Sequence, residues 1–383
     1  MSTAGLPLPS PARQPLVGHL GRWGREPLAL LDEGARLGRV FELRLWRRAV
    51  VGYGPDWNRL VLGDLDTFRS KGSLSALSPY LNGGVVMTDH PDHAPRRHEL
   101  NPHFHAGSVA TMRDRLEAVV AREAPTSRFD SLEWALHVVP PMLNEAFFGG
   151  RFPQSLLTTF VAPLHRPLPW PLLPRPTTFR QVDAAIARVL ADPAEGSLAH
   201  ALTGVDRAGE ELRVALAAAF DTTAHTLAWA LWHLAGTPND GTAEEIRAVI
   251  QETLRLYPAG WLGSRVASRA FSFAGHAVPP RTLVFYSPYL THRDPELWPD
   301  PERFDPTRFQ ERKPPWGYIP FSAGERTCLG MHLANLILEV ALTPFAAGRA
   351  RADGGDPTPR TGLTLSPRGP LWVDVVDRGP RPA

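Results

Sequence analysis

A single cysteine occurs in 383 residues. No disulfide can form within such a chain, which fits a reducing compartment and makes a cytoplasmic protein the expectation. The scarcity also excludes zinc and iron–sulfur sites built on cysteine sulfur, which take four protein ligands or three plus water. No Cys-x-x-Cys and no Cys/His cluster is present. Charge of one sign is missing too: Lys+Arg number 41 against Asp+Glu 39, a formal net charge of +2, so no nucleic acid partner is implied. No run of about 18 apolar residues occurs, and residues 1–21 are Pro- and Gly-rich, so neither a signal peptide nor a membrane anchor is expected. No internal repeat is visible, and the length suits one large domain or two ordinary ones.

The cysteine sits in Phe321-Ser322-Ala323-Gly324-Glu325-Arg326-Thr327-Cys328-Leu329-Gly330, between a Pro-rich segment and an apolar helical run over 331–347. A lone cysteine is usually a small buried hydrophobe. Here Gly324 and Gly330 allow backbone shapes closed to other residues. Cys328 lies just before a helix N-terminus, where N–H groups lack intrahelical partners and the dipole favours an anion. That setting predicts a thiol pKa below its ordinary value of about 8.5, and hence a thiolate. A buried thiolate needs a counter-charge, which a metal supplies. One protein sulfur suffices where a macrocycle provides the other four ligands, as in thiolate-ligated haem.

The spacing Phe-x-x-Gly-x-Arg-x-Cys-x-Gly resembles the haem-binding signature of the cytochrome P-450 monooxygenases. The resemblance implies a mostly α fold with a smaller β region, formed by residues 1–383 as a single domain. It places haem b between a long central helix, 206–235, and the helix after the cysteine loop. Cys328 is then the axial iron ligand, with Phe321, Gly324 and Ala218 among the residues that contact the cofactor.

Other elements follow from pattern. Residues 26–37 have helical spacing, 40–51 alternate and read as a hairpin turning near Arg47-Arg48, and Pro55-Asp56 opens a short helix. Residues 72–89 form a loop of functional length. A helical region over 129–148 should be disturbed at Pro140-Pro141. Residues 151–176 are rich in Pro, Leu, Trp and Phe; within them Leu168-Pro169-Trp170-Pro171 and Leu173-Pro174-Arg175-Pro176 cannot be regular helix, and in the family the region corresponds to the mobile roof of the substrate pocket. It reads equally as plain core. Residues 353–360 read as a linker and 363–373 as a closing hairpin, with Leu363 a pocket candidate.

The central stretch becomes apolar nearly all round after Arg213, so it should cross the interior. Within it lies Ala218-Ala219-Phe220-Asp221-Thr222-Thr223. A carboxylate there costs several kcal/mol unless paired or solvated, and a satisfied polar kink is the plain structural reading. The segment also resembles the family's oxygen-activation motif, in which Thr222 and Asp221 would be the alcohol and acid of the proton supply. Ala219 stands where that motif usually has Gly. His225 reads as ordinary polar satisfaction.

His93 and Arg97 are four apart and share a helix face, a donor pair suited to a carboxylate or simply a solvated basic face. By resemblance they bind a haem propionate, joined by Arg265 (or Arg269) and Arg326. Glu252 and Arg255 could pair on any exposed helix; by resemblance they meet Arg308 in a scaffold network, with Arg303 as the lesser candidate. The expected function is a haem-thiolate monooxygenase acting on a lipophilic small molecule of terpenoid, carotenoid, fatty acid or steroid class. Trp261, Phe220 and the loop 81–86 are expected around that ligand. Electrons are expected from a separate ferredoxin or flavodoxin-type donor with its reductase, docking near basic residues such as Arg96, and the chain is expected to be a monomer. The alternatives are a peroxide-using or rearranging enzyme of the same fold and a non-catalytic haem sensor or carrier.

Overall fold

The structure, a computed structural model, describes residues 6–73, 79–165, 175–310 and 313–376. The longest element described is the helix Ala208–Gly236, whose first turn carries Glu210 and Glu211 at the positive end of the helix dipole. Beyond that turn most of its side chains are buried, Leu216, Phe220, Leu227 and Leu231 among them. Each such burial contributes roughly 1.5–3 kcal/mol. Helices Ser131–Phe148, Ala243–Leu256 and Met331–Leu342 pack around it.

Helix Ser131–Phe148 runs through Pro140 and Pro141 without a break, contrary to the expected disturbance. Each proline removes a backbone donor. The buried face formed by Val138, Val139, Met142 and Leu143 holds the helix against the core and outweighs that loss. Helix Ala243–Leu256 starts on a capping box, with Glu245 N–H donating to Thr242 Oγ1 (3.2 Å) and Thr242 N–H donating to Glu245 Oε2 (3.0 Å). It follows the central helix after a short link.

The β region is a five-stranded sheet in the order Val40–Arg44, Arg48–Gly52, Leu283–Tyr286, Gly263–Ala267, Phe68–Arg69. The first two strands form the expected hairpin, with Arg44 opposite Arg48. Two C-terminal expectations need correction. The supposed linker contains the strand Ala350–Gly355, which pairs with Leu371–Val375. The supposed hairpin over 363–373 is divided, because Leu365–Pro367 pairs back to Pro359–Thr361. Gly354, Gly355 and Asp353 made that strand look like a linker, since glycine and aspartate are poor strand formers.

Residues 166–174 of the proposed roof, including Leu168-Pro169-Trp170-Pro171 and Leu173-Pro174, lie outside the described residues. The stretch also contains regular helix at Gln154–Val161, before its Pro-rich part. Among the described residues no helix is long and apolar enough to cross a membrane.

Candidate active site

The cysteine loop is shaped by its own backbone. Cys328 N–H donates to the Phe321 carbonyl (2.8 Å), closing the loop on itself, and Thr327 Oγ1 donates to the Gly324 carbonyl (2.7 Å). Gly324 has φ +69, and a Cβ there would stand 3.1 Å from the Leu62 carbonyl oxygen, so glycine is required. Gly324 lies off the cavity described next; it shapes the turn. The helix Met331–Leu342 begins three residues after the cysteine. One electrostatic expectation is reversed: burial pushes the Cys328 thiol above its ordinary value, against the lowering effects of the Gly330 backbone N–H and the Arg97 charge. Enclosure by protein outweighs the helix terminus at this distance.

Cys328 is exposed only toward a cavity of about 400 Å³. Ala218, Ala219 and Thr222 of the central helix line it, together with Leu329, Leu333 and Ile337 beside the cysteine. Phe321, Val85, Val86, Val214, Leu143 and Phe147 supply further apolar wall. The central helix and the helix after the cysteine therefore bound one space.

Four cationic or potentially cationic side chains border the same cavity: His93, Arg97, Arg265 and Arg326. The Nε atoms of all three arginines are buried and have no hydrogen-bond partner. Arg265 donates through Nη1 to the Ser264 carbonyl (2.8 Å), and Arg326 through Nη2 to Asp89 Oδ1 (2.8 Å) and the Thr88 carbonyl (2.6 Å). Burial, then the Arg265 charge, brings Arg326 down to about 10. Burial also lowers Arg97, and it lowers His93 despite the 2.6 Å hydrogen bond between His93 Nδ1 and Glu325 Oε1. Crowded cations held out of water with unused donors call for an anionic guest. Two propionates above a thiolate loop meet that demand, so the residues present fit haem. Arg269 stands apart, bonded through Nε to Thr67 Oγ1 (2.7 Å) and through Nη2 to Asp64 (3.3 Å).

On the opposite wall, Thr222 Oγ1 donates to the Ala218 carbonyl (2.8 Å), so the helix satisfies its hydroxyl in the usual i−4 manner. Asp221 does not line the cavity. Its Oδ2 accepts from Thr364 Oγ1 (2.7 Å), while Oδ1 is buried without a hydrogen-bond partner and faces His165 and His225. Burial pushes His225 down to about 4. His225 is thus more than routine polar satisfaction, and Thr364 and His165 were missed by the sequence reading. The available signal was the four-residue spacing of Asp221 and His225; nothing local points to Thr364.

Away from the cavity Glu252, Arg255 and Arg308 come together. Glu252 accepts from Arg255 Nε (2.7 Å) and Nη2 (2.8 Å) and from Arg308 Nε (3.3 Å). Arg303 contributes only its carbonyl, which accepts from Arg255 (3.2 Å).

Comparison with known proteins agrees with this geometry. The model of the family described as cytochrome P-450 matches residues 245–345, which hold the scaffold helix and the cysteine loop. A putative cytochrome P-450 of Mycobacterium tuberculosis is 28% identical over 359 residues, covering 77% of this chain and 83% of that protein. The structure of a six-coordinated cytochrome P-450 from Thermus thermophilus superposes with a TM-score of 0.78 at 25% identity, over 92% of this chain and 98% of that one. The chain is similar to cytochromes P-450 in sequence and in fold over most of its length. It is an oxidoreductase of the monooxygenase class that takes haem with cysteine thiolate ligation, and Cys328 is its one cysteine. A further relative, the cyclooctat-9-en-7-ol 5-monooxygenase of Streptomyces melanosporofaciens, is 26% identical over 400 residues, covering 87% of this chain and 86% of that enzyme.

Several expected pocket residues sit elsewhere. Phe220 and Trp261 are buried in core clusters, and Leu363 is 45% exposed. None of the three lines the cavity. Arg96, expected as a free docking charge, is tied inward to Glu211, to Thr88 Oγ1 (2.7 Å) and to the Gly83 carbonyl (3.0 Å). Arg213, at the start of the apolar part of the central helix, is itself nearly buried and pairs with Asp183 at 2.8 Å.

Proposed function

We propose that this chain, as one catalytic domain, inserts one atom of dioxygen into a C–H bond or alkene of a lipophilic substrate of terpenoid class. The other oxygen atom leaves as water, using two protons and two electrons. The observation that carries this reading is the single cavity with Cys328 and four propionate-type donors on one wall and the Thr222 hydroxyl on another. Haem, when bound, supplies dioxygen binding and an O–O cleavage favoured by electron density from the thiolate.

The protein's own residues do the rest. His93, Arg97, Arg265 and Arg326 would hold the propionates, and Phe321 and Ala218 would contact the ring. Gly324 keeps the loop in shape. Thr222 presents a hydroxyl to the reacting space from the central helix, and Asp221 is the acid that restores its proton. Glu252, Arg255 and Arg308 fix the frame that carries the loop. The wall of Val85, Val86, Val214, Leu143 and Phe147 excludes water and selects apolar surface. A terpenoid class is supported by that apolar wall and by the relative named for oxygenating cyclooctat-9-en-7-ol.

Electrons come from a separate ferredoxin or flavodoxin-type protein with its reductase. The test is a spin-shift screen of terpenoid alcohols and hydrocarbons on the holoprotein, followed by turnover of any ligand found. NAD(P)H with a surrogate ferredoxin system should give an oxygenated product. Product with peroxide alone and none with the redox chain would make the enzyme a peroxide user instead. Binding without product under either condition would leave a carrier.

A further inference from the structure

On the side of the central helix away from the cavity, side chains from three distant parts of the sequence converge. His165 ends a short helical stretch, Asp221 and His225 lie one turn apart on the central helix, and Thr364 comes from the C-terminal β region. Asp221 and His225 are each 2% exposed, and the His165 side chain 32%. His165 Nδ1 and His225 Nε2 are 2.9 Å apart, and Asp221 Oδ1 lies 3.6 Å from the first and 3.5 Å from the second.

The hydrogens can be assigned from the partners. Thr364 has one hydroxyl hydrogen and gives it to Asp221 Oδ2 (2.7 Å), so its oxygen accepts from His225 Nδ1 (2.8 Å). The neutral His225 ring therefore carries its hydrogen on Nδ1 and presents a bare lone pair at Nε2. Asp221 Oδ1 is buried and has no hydrogen-bond partner. Two bare acceptors thus face one another across 3.5 Å, with His165 Nδ1 completing a triangle. A single proton on His165 can serve one of those acceptors well and leaves the other exposed to its neighbour's lone pair. A cation at the centre serves all three.

The dimensions suit a metal. A triangle with these sides has a circumscribed radius of about 2 Å, so a point about 2.0–2.1 Å from all three ligand atoms, the usual Zn–N and Zn–O distance, lies just off their plane. The surroundings suit it as well. The Nδ1–H of His225 is held by Thr364, which also holds the ligating carboxylate, and such outer contacts fix ring orientation and tautomer in metal sites. One opposing charge is present, Arg360, whose guanidinium is turned to Ser366 Oγ (3.3 Å).

We propose that His165 Nδ1, His225 Nε2 and Asp221 Oδ1 form a binding site for a divalent transition metal, Zn²⁺ by ligand type, distinct from the haem iron. Solvent completes the coordination on the half-exposed His165 side. The site is read from ligand geometry and does not depend on what Asp221 does in oxygen chemistry. If Asp221 is also the relay acid, metal and relay compete for one carboxylate, and zinc becomes an inhibitory ligand.

The experiment uses tag-free holoprotein equilibrated with Zn²⁺, dialysed, and assayed for zinc against haem iron as internal standard. One zinc per haem iron is expected in the wild type. Affinity should fall at least tenfold in His225→Asn and in Asp221→Asn, and about 10–100-fold in Thr364→Ala, which keeps every ligand atom. Zinc-edge X-ray absorption of the wild type should show two imidazole nitrogens and oxygen without sulfur, a readout that needs no variant to fold. No retained zinc, undiminished zinc in His225→Asn and Asp221→Asn, or sulfur in the first coordination sphere would each overturn the proposal. The first of these results would leave a hydrogen-bonded His165–His225 pair.

Discussion

Adjacent residues of an α-helix point about 100° apart, so Asp221 and Thr222 can face different surroundings. Thr222 faces the cavity, and Asp221 is turned toward His165, His225 and Thr364. The acid–alcohol pair was legible in the sequence, but the direction of the acid was not, because Thr364 and His165 reach it from remote parts of the chain. At this scale three outcomes are expected. Cys328→Ser should abolish the thiolate-type carbon monoxide difference band of the reduced protein. Thr222→Ala should retain haem and the substrate spin shift while product formation falls by roughly 10²-fold and peroxide rises in its place. Unchanged coupling of NAD(P)H to product in Thr222→Ala would remove that hydroxyl from the proton supply. The guanidinium cluster is open to a simpler measurement: Arg97→Ala should speed transfer of haem to apomyoglobin by at least severalfold.

Between elements, the decisive contact is Glu252 on helix Ala243–Leu256 with Arg255 and Arg308. Glu252 and Arg255 have no solvent exposure at all, so removing the carboxylate leaves a buried, uncompensated guanidinium. Glu252→Ala should cost about 3–5 kcal/mol, seen as a lower urea midpoint of the holoprotein by circular dichroism. A near-neutral result would mean that the backbone carbonyls of His292, Pro301 and Arg303, which also accept from Arg255, suffice alone. Elements carried by local signals were read well: the central helix, the capping box at Thr242 and the hairpin at 40–52 follow from periodicity, caps and alternation. Elements whose existence depends on a distant partner were read poorly. The strand Ala350–Gly355 has little strand propensity and exists because Leu371–Val375 lies beside it.

Across the whole molecule, buried neutral histidines set the acid limit of stability. His233, stacked on Phe304 at 3.7 Å, and His292, which donates from Nδ1 to the Arg255 carbonyl (3.2 Å), are each pushed down to about 3 by burial. The unfolded chain regains a histidine pKa of about 6.5. Below that pH the unfolded state binds the extra protons, so this contribution is fully present above about 6.5 and is lost as pH falls toward 3. Each group should tilt stability by about 1.4 kcal/mol per pH unit in that window. Tm measured from pH 7 to pH 5 should drop steeply, and His233→Phe should flatten the slope by one proton. An equal slope in the variant would place the acid sensitivity elsewhere.

The loop 83–89 shows what the internal ties of this fold mean for redesign. Val85 N–H donates to both carboxylate oxygens of Glu211 (3.0 and 3.1 Å), Arg96 clasps Glu211, and Arg326 from the cysteine loop reaches Val86, Thr88 and Asp89. A substrate-facing loop is usually treated as a cassette that can be exchanged between relatives to change specificity. Here its backbone is anchored to the central helix and to the loop that presents the thiolate. A grafted loop without Glu211, Arg96 and Arg326 would arrive without its fastenings, and the first property to change would be the setting of the cysteine rather than the choice of substrate.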